Sequence, residues 1–336
     1  MTADPAPVLE LIEAFRESKT MFAAVALGVF DRLAQGPKNA PGLAQELGLV
    51  PDALERLLDA CVGLGLLAKN DLCYANTGTA DVYLVSSSPR SLAGYVLYSN
   101  SVLYRLWSHL EDSLRDGTNR WQQEFGIEAP IFSHFFRTDA ARHDFVAGMH
   151  GFGLLSSPAV VAAFDLGRFR RLVDLGGATG HLALAACRKY PRLRCVVFDL
   201  PEVIACAEQY LGQAECRQRI ELAAGDFFAD ALPAGDLYAL GRILHDWGEP
   251  KIRRLLQKIH HHLPPGGGLL LAERLLKEDK TGPLSAQLQS LNMLVCTEGR
   301  ERSLAEYAAI LGEAGFQEVQ GKWTGAPLDA VLAVKV

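Results

Sequence analysis

Apolar residues recur at helical spacing through the first part of the chain. Val8, Leu9, Leu11, Ile12 and Phe15 lead into Met21, Phe22, Val25, Leu27, Val29, Phe30 and Leu33, until Pro37 and Pro41 interrupt the run. So much apolar surface is more than a terminal helix hides within its own domain. Residues 8–34 are therefore expected to form a packing face, for a second subunit. Leu43 to Val50 reads as a short helix stopped at Gly48. Asp52 and Glu55 make a capping-box-like start to a further helix, with Leu54, Leu57, Leu58, Cys61 and Leu64 on one stripe. Leu66 to Tyr74 then reads as two extended pieces about an Asn70-Asp71 turn.

Helix, turn, helix and hairpin in that order look like a winged helix. The second helix would be the one that reads DNA, yet its only basic residue, Arg56, stands against Asp52, Glu55 and Asp59. Such a helix repels phosphates, so protein packing is the expected use. Residues 99–117 (Leu103, Leu106, Trp107, Leu110, Leu114) and 130–150 (Ile131, Phe132, Phe135, Phe136, Phe145, Val146, Met149) read as bridging helices.

Beyond residue 168 the period changes. Short apolar runs alternate with amphipathic stretches: Arg170–Asp174, Cys195–Asp199, Ile220–Phe228, Asp236–Leu244 and Leu269–Glu273 read as strands. Pro201 opens one intervening helix, and Ile252, Leu255, Leu256, Ile259 and Leu263 mark another. Strands that are apolar throughout and separated by helices predict an open parallel sheet, with its ligand crevice at the carboxyl ends. Asp174, Asp199, Asp226, His245 and Glu273 all fall at such ends. Five at one edge predict a site.

Composition narrows the classes. A chain of 336 residues, 49% hydrophobic, is long enough for two domains, and a net charge of −6 argues against a broad nucleic-acid footprint. Seven scattered cysteines without a C-x-x-C pair fit reduced thiols in a cytoplasmic protein. No signal peptide and no membrane-spanning run is expected, the first twenty residues being acidic.

The candidate chemistry begins at Asp174-Leu175-Gly176-Gly177-Ala178-Thr179-Gly180, a strand, a tight turn and a helix start that brings backbone N–H groups close to a ligand. Counted from Gly176, the nicotinamide fingerprint needs glycines where Ala178 and His181 stand. A different nucleoside ligand is therefore expected. Asp199, 19 residues beyond Gly180, suits a carboxylate accepting both ribose hydroxyls. Asp226 and Phe227 suit an adenine, by its amine and its ring face. Asp174 serves equally to tie down the glycine turn or to touch the ligand.

Several segments occur together in order: Asp174-Leu175-Gly176-Gly177, Val197 to Val203, Gly225-Asp226-Phe227-Phe228, Arg242-Ile243-Leu244-His245-Asp246-Trp247, Pro265 to Gly268, and Glu298 to Ser303. Over nearly the whole chain they resemble the S-adenosylmethionine-dependent O-methyltransferases of the acetylserotonin (hydroxyindole) and plant phenolic type. Ser290 to Val295, Thr297-Glu298-Gly299 and the stretch from Gly325 to Ala330 pull toward the acetylserotonin branch. The resemblance implies residues 1–95 as a winged-helix-like dimerisation domain of a homodimer. It implies 96–336 as a class I methyltransferase domain, with linking helices to 168 and a Rossmann-like core from 169. It implies cofactor contacts at Gly176, Asp199, Leu200, Gly225, Asp226, Phe227 and Arg242. It makes His245 the general base, with Glu273 and Glu301 orienting the imidazole and Asp246 beside it, and it puts Phe145, Met149, Asn292 and Met293 against a small aromatic acceptor. Ala178 departs from a pattern that often has a third glycine there, which puts cofactor affinity in question.

Competing readings are an S- or N-methyltransferase, a regulator that senses S-adenosylmethionine, and an inactive scaffold. The acidic recognition helix opposes the regulator, and the retained His245, Glu273 and Glu301 oppose the scaffold. Glu301 has a duller alternative as a local salt-bridge partner of Arg302. His260-His261-His262 point to different helix faces and are expected in solvent. No metal, nucleic acid or membrane is expected as a partner.

Overall fold

The computed structural model describes residues 3–128, 138–212 and 214–336. Ile131, Phe132, Phe135 and Phe136, expected in a helix, lie outside the described residues. The chain divides into two compact units, one running to Tyr104 and taking in Thr138–Gly151, the other holding the remainder. Residues 96–104 and 138–151 thus pack with the first unit, so the linking helices are shared out between the units.

In the first unit α1 (Ala6–Ala26) and α2 (Val29–Leu33) precede β1 (Lys38–Asn39), α3 (Ala40–Leu47), α4 (Pro51–Gly63), β2 (Leu67–Asn70) and β3 (Cys73–Asn76). Asn39 caps α3 by accepting the Gly42 N–H at 2.8 Å, and Gly48, at φ 68°, ends it. The expected capping box on α4 does not form. Val50 is the N-cap and Pro51 fills the first turn, leaving Asp52 inside the helix. The three strands pair antiparallel in the order β1-β3-β2.

The apolar run at the start of the chain divides. Ala24, Val25, Val29, Phe30 and Leu33 are buried within this unit. Val8, Leu9, Leu11, Ile12 and Phe15, by contrast, are all at least 54% exposed. Most of the exposed part of the expected 8–34 face thus lies in its first half, with Leu27 the exposed large hydrophobic residue of the second.

The helix Asp139–Ala162 corrects one expectation. It is long and apolar enough, by length and composition, to cross a bilayer, and half of its most apolar stretch is buried inside the protein. Gly148 lets it cross the helix Ala93–Tyr98, where a Cβ would lie 2.9 Å from the Tyr95 Cα.

The second unit is built on β4 (Arg171–Leu175), β5 (Arg194–Asp199), β6 (Ile220–Ala224), β7 (Leu237–Gly241), β8 (Gly268–Glu273), β9 (Leu275–Leu276), β10 (Arg302–Ser303), β11 (Gln317–Lys322) and β12 (Asp329–Val334). Seven of these form one sheet in the order β11-β12-β8-β7-β4-β5-β6, while β9 and β10 pair separately. The sheet is mixed rather than purely parallel, since β12 pairs antiparallel with both β8 and β11. Its six residues are all buried, an apolar run the strand reading passed over. The chain steps outward from β4 to β5 and β6, then returns to β7 on the other side of β4. That reversal opens the crevice at the carboxyl ends of β4 and β7, with the end of β5 beside it.

Candidate active site

The glycine turn leaves β4 into the helix His181–Lys189. Gly176 and Gly180 take left-handed φ values of 68° and 77°, and Ala178 takes 49°. Glycine holds that region freely, whereas the Ala178 methyl crowds its own backbone. At Gly176 a Cβ would strike the Ile243 side chain and lie 3.5 Å from the Phe227 ring, so Phe227 borders the turn.

Asp199 closes the turn from β5. One carboxylate oxygen accepts the Ala178 N–H at 2.8 Å, and the other accepts the Leu200 N–H at 2.7 Å. A carboxylate has about four lone-pair sites, so two remain for ligand hydroxyls. Burial raises this carboxyl to about 6. Asp174 lies under the turn, 2% exposed, with its Cγ 2.8 Å from where a Gly177 Cβ would stand. Burial, reinforced by the Asp199 charge, raises it to about 7, and its Oδ2 has no hydrogen-bond partner. Gly225 is buried against the Phe198 ring, its N–H donated to the Asp199 carbonyl at 2.9 Å. Asp226, half-buried, accepts the Phe228 N–H at 2.7 Å. Arg242 holds φ 57°, left-handed for a non-glycine residue, with its guanidinium 4.7 Å from the Phe152 ring centre. Strain of this kind collects at functional sites.

His245 sits on a 3₁₀ turn, Leu244–Asp246, just beyond β7 and is 2% exposed. Its Nδ1 lies 2.7 Å from Glu301 Oε1 and 3.5 Å from Glu273 Oε2, and its Nε2 lies 3.6 Å from Asp246 Oδ1. Glu273, at the end of β8, accepts the N–H groups of Ile243 and Leu244 at 3.1 and 2.9 Å. It thereby pins the turn that carries the imidazole. Glu301 arrives from the segment before β10. Gly299 lets that segment lie on the His245 carbonyl, where a Cβ would collide. Burial pushes Asp246 to about 6, Glu273 to about 7 and Glu301 to about 8.

The sequence-expected residues are thus brought together in two groups of the second unit: the glycine turn with Asp199, and His245 with Asp246, Glu273 and Glu301. No ion pair joins Glu301 to Arg302 among the described residues; the Glu301 partner is His245. Asn292 and Met293 lie on the helix Leu284–Cys296, where Asn292 Oδ1 accepts the Trp107 Nε1–H at 2.8 Å and Met293 is buried. Phe145 and Met149 belong to the first unit, where the Phe145 ring packs edge-on to Tyr98 at 5.4 Å. His261 and His262 are exposed as expected, but His260 is half-buried, edge-on to the Phe316 ring at 5.0 Å. Sequence reasoning gave no site role to Gly299, and to Arg302 only that of a local salt-bridge partner of Glu301. The signal available was a glycine and an arginine flanking an acid inside an already matched segment.

Residues 107–317 match the model of an O-methyltransferase domain and residues 9–86 that of an O-methyltransferase dimerisation domain. The chain belongs to the O-methyltransferase family. It is 44% identical over 97% of its length to an acetylserotonin O-methyltransferase of Bos taurus, of which it covers 96%. It is 43% identical over 99% of its length to a probable bifunctional dTTP/UTP pyrophosphatase/methyltransferase protein of Homo sapiens, and spans about half (54%) of that protein. A crystal structure of human N-acetylserotonin methyltransferase in complex with S-adenosylmethionine superimposes with a TM-score of 0.93 at 40% identity, covering 99% of each chain. The chain is an S-adenosylmethionine-dependent O-methyltransferase with a class I methyltransferase fold and a helical dimerisation domain.

The crevice fits that cofactor chemically. A left-handed turn exposes backbone at the end of β4, a carboxylate with two open acceptor sites ends β5, and the Phe227 ring borders the turn. His245, Glu273 and Glu301 also bring donor atoms within 4.8 Å of one another, a spacing that could hold a metal ion. Three positive side chains, Arg242, Arg274 and Arg302, already act on Glu301 there.

Proposed function

We propose that the protein methylates a hydroxyl of a small aromatic acceptor, a phenol or hydroxyindole, with His245 as general base. The observation that carries this is the 2.7 Å contact of His245 Nδ1 with Glu301 Oε1. Glu301, pushed up to about 8 by burial, accepts Nδ1–H once it is ionised; the ring's free lone pair is then on Nε2, so turnover should climb as pH rises toward that value. A phenol loses its proton near pH ~10, so at neutral pH the acceptor needs a base in contact. Nε2 takes that proton and the imidazolium is steadied by Glu301, while Glu273 holds the turn in register.

Bound S-adenosylmethionine supplies an electrophilic methyl group on a sulfonium sulfur. Asp199 would accept the ribose hydroxyls on its two open lone pairs, with Gly176 and Leu200 beside it. Gly225, Asp226 and Phe227 would take the adenine, and Arg242 the remaining polar end. Asn292 and Met293 would line the acceptor, the Asn292 oxygen being held by the Trp107 Nε1–H. The exposed stripe on α1 supports a homodimer, since contiguous apolar surface of that kind is rarely left in water.

The test is His245→Gln with a panel of phenols, hydroxyindoles (the acetylserotonin of the bovine relative's name first), thiols and amines. Turnover on a hydroxyl should fall roughly 10²-fold or more at pH 7, with cofactor affinity by calorimetry unchanged and partial rescue at high pH. Near-normal turnover would remove His245 as base and favour methylation at sulfur or nitrogen, which needs no prior loss of a proton.

A further inference from the structure

Buried carboxyls around a buried imidazole pose a charge problem, and the chain answers it with an arginine. Arg302 is 2% exposed. Its Nη1 donates to the carbonyl oxygens of Leu244 at 3.3 Å and Arg300 at 3.1 Å. Those carbonyls belong to the residues immediately before His245 and immediately before Glu301. One nitrogen therefore spans the two backbone segments that carry the hydrogen-bonded pair. Glu301 Oε2 and Arg302 Nε are buried without a hydrogen-bond partner, Glu273 Oε2 has only His245 Nδ1 at 3.5 Å, and no ion pair joins Arg302 to either acid among the described residues. The compensation is between neighbouring groups through a medium that screens weakly.

We infer that Arg302 is a positioning residue for methyl transfer: it fixes the spacing of the His245 and Glu301 segments and supplies positive charge that favours the ionised form of Glu301, the form that accepts His245 Nδ1–H. This rests on His245 acting as the base. The groups acting on the site are Arg242, Arg274 and Arg302 as cations, His245, Asp246 and Glu273 as its titrating neighbours, and the buried Tyr307 hydroxyl. Burial pushes Glu301 up, and the three guanidinium groups pull it back. Without Arg302 the Glu301 carboxyl holds its proton to higher pH. A protonated Glu301 donates to Nδ1, which leaves the ring proton on Nε2 and removes the base. The pH at which turnover rises should therefore move upward, an effect that a purely architectural arginine would not produce.

The experiment compares Arg302→Met, Arg302→Lys and His245→Gln in the full-length enzyme, following kcat, KM, cofactor Kd and the pH profile of kcat/KM. Arg302→Met should lower kcat roughly 10- to 100-fold at pH 7, move the acid limb up by about one pH unit, and leave cofactor Kd within about twofold. Arg302→Lys keeps the charge but not the planar reach to two carbonyls, so its limb should stay in place while kcat falls. If the Met variant does not fold, the Lys variant decides: a shifted limb or a wild-type kcat overturns the inference. A wild-type limb in a folded Met variant overturns it too. When His245→Gln is nearly inactive and Arg302→Met is normal, the inference fails alone. When His245→Gln is itself normal, the base reading fails and takes the inference with it.

Discussion

Replacing Asp174 by Asn tests whether the carboxyl under the glycine turn is held there at a cost. Asp174 is 2% exposed, one of its oxygens has no partner, and burial with the nearby Asp199 raises it from 3.8 to about 7. A raised folded-state value means that the native chain binds the proton more tightly than the unfolded chain. Stability from this group is therefore complete below the unfolded value and is lost as pH rises through the folded one. For a shift from 3.8 to about 7, the loss between pH 5 and pH 8 is roughly 2–3 kcal/mol. Asn cannot ionise and escapes that loss. In thermal or urea unfolding, Asp174→Asn should gain on the wild type by that amount between pH 5 and pH 8, several degrees in Tm. A difference between the two proteins that stays flat across this range would show that Asp174 is ionised without penalty, and the buried-acid account would be wrong. Cofactor calorimetry on the same variant separates the two roles. Affinity within about twofold marks a support for the turn, whereas a loss near 2 kcal/mol marks a ligand contact.

Two further outcomes follow from the geometry. Ala178→Gly removes a methyl held at φ 49°; relief of about 1–2 kcal/mol less the glycine entropy should leave a net gain of about 0.5–1 kcal/mol, read by denaturant melts, with cofactor affinity no weaker. Deleting the residues before Thr20 removes the exposed Val8, Leu9, Leu11, Ile12 and Phe15, and should convert a dimer to monomer in light scattering at micromolar concentration; a wild type already monomeric there would refute the stripe as a subunit contact.

The sequence by itself determined the strands that carry the site. β4, β5, β7 and β8 are apolar along their length because they are covered on both faces, and that pattern needs no tertiary information to read. Their polar ends were legible for the same reason: an acid or histidine closing an apolar run lies where the strand meets solvent or ligand. Family resemblance added the pairing of His245 with Glu301, residues 56 positions apart, a contact that spacing alone does not encode. Tertiary structure decided the rest. β12 became the antiparallel partner of β8 because the chain reverses after β11 and lays β12 back between β11 and β8, an ordering that local period does not encode. The apolar start of the chain divided where α1 enters the core of its own unit, so Val25 is buried and Phe15 is not. Arg302 looked like a surface charge beside an acid until folding turned it inward to the carbonyls of Leu244 and Arg300. A sequence lists which charges a chain owns; burial and the distances between them come only from how the segments close on one another.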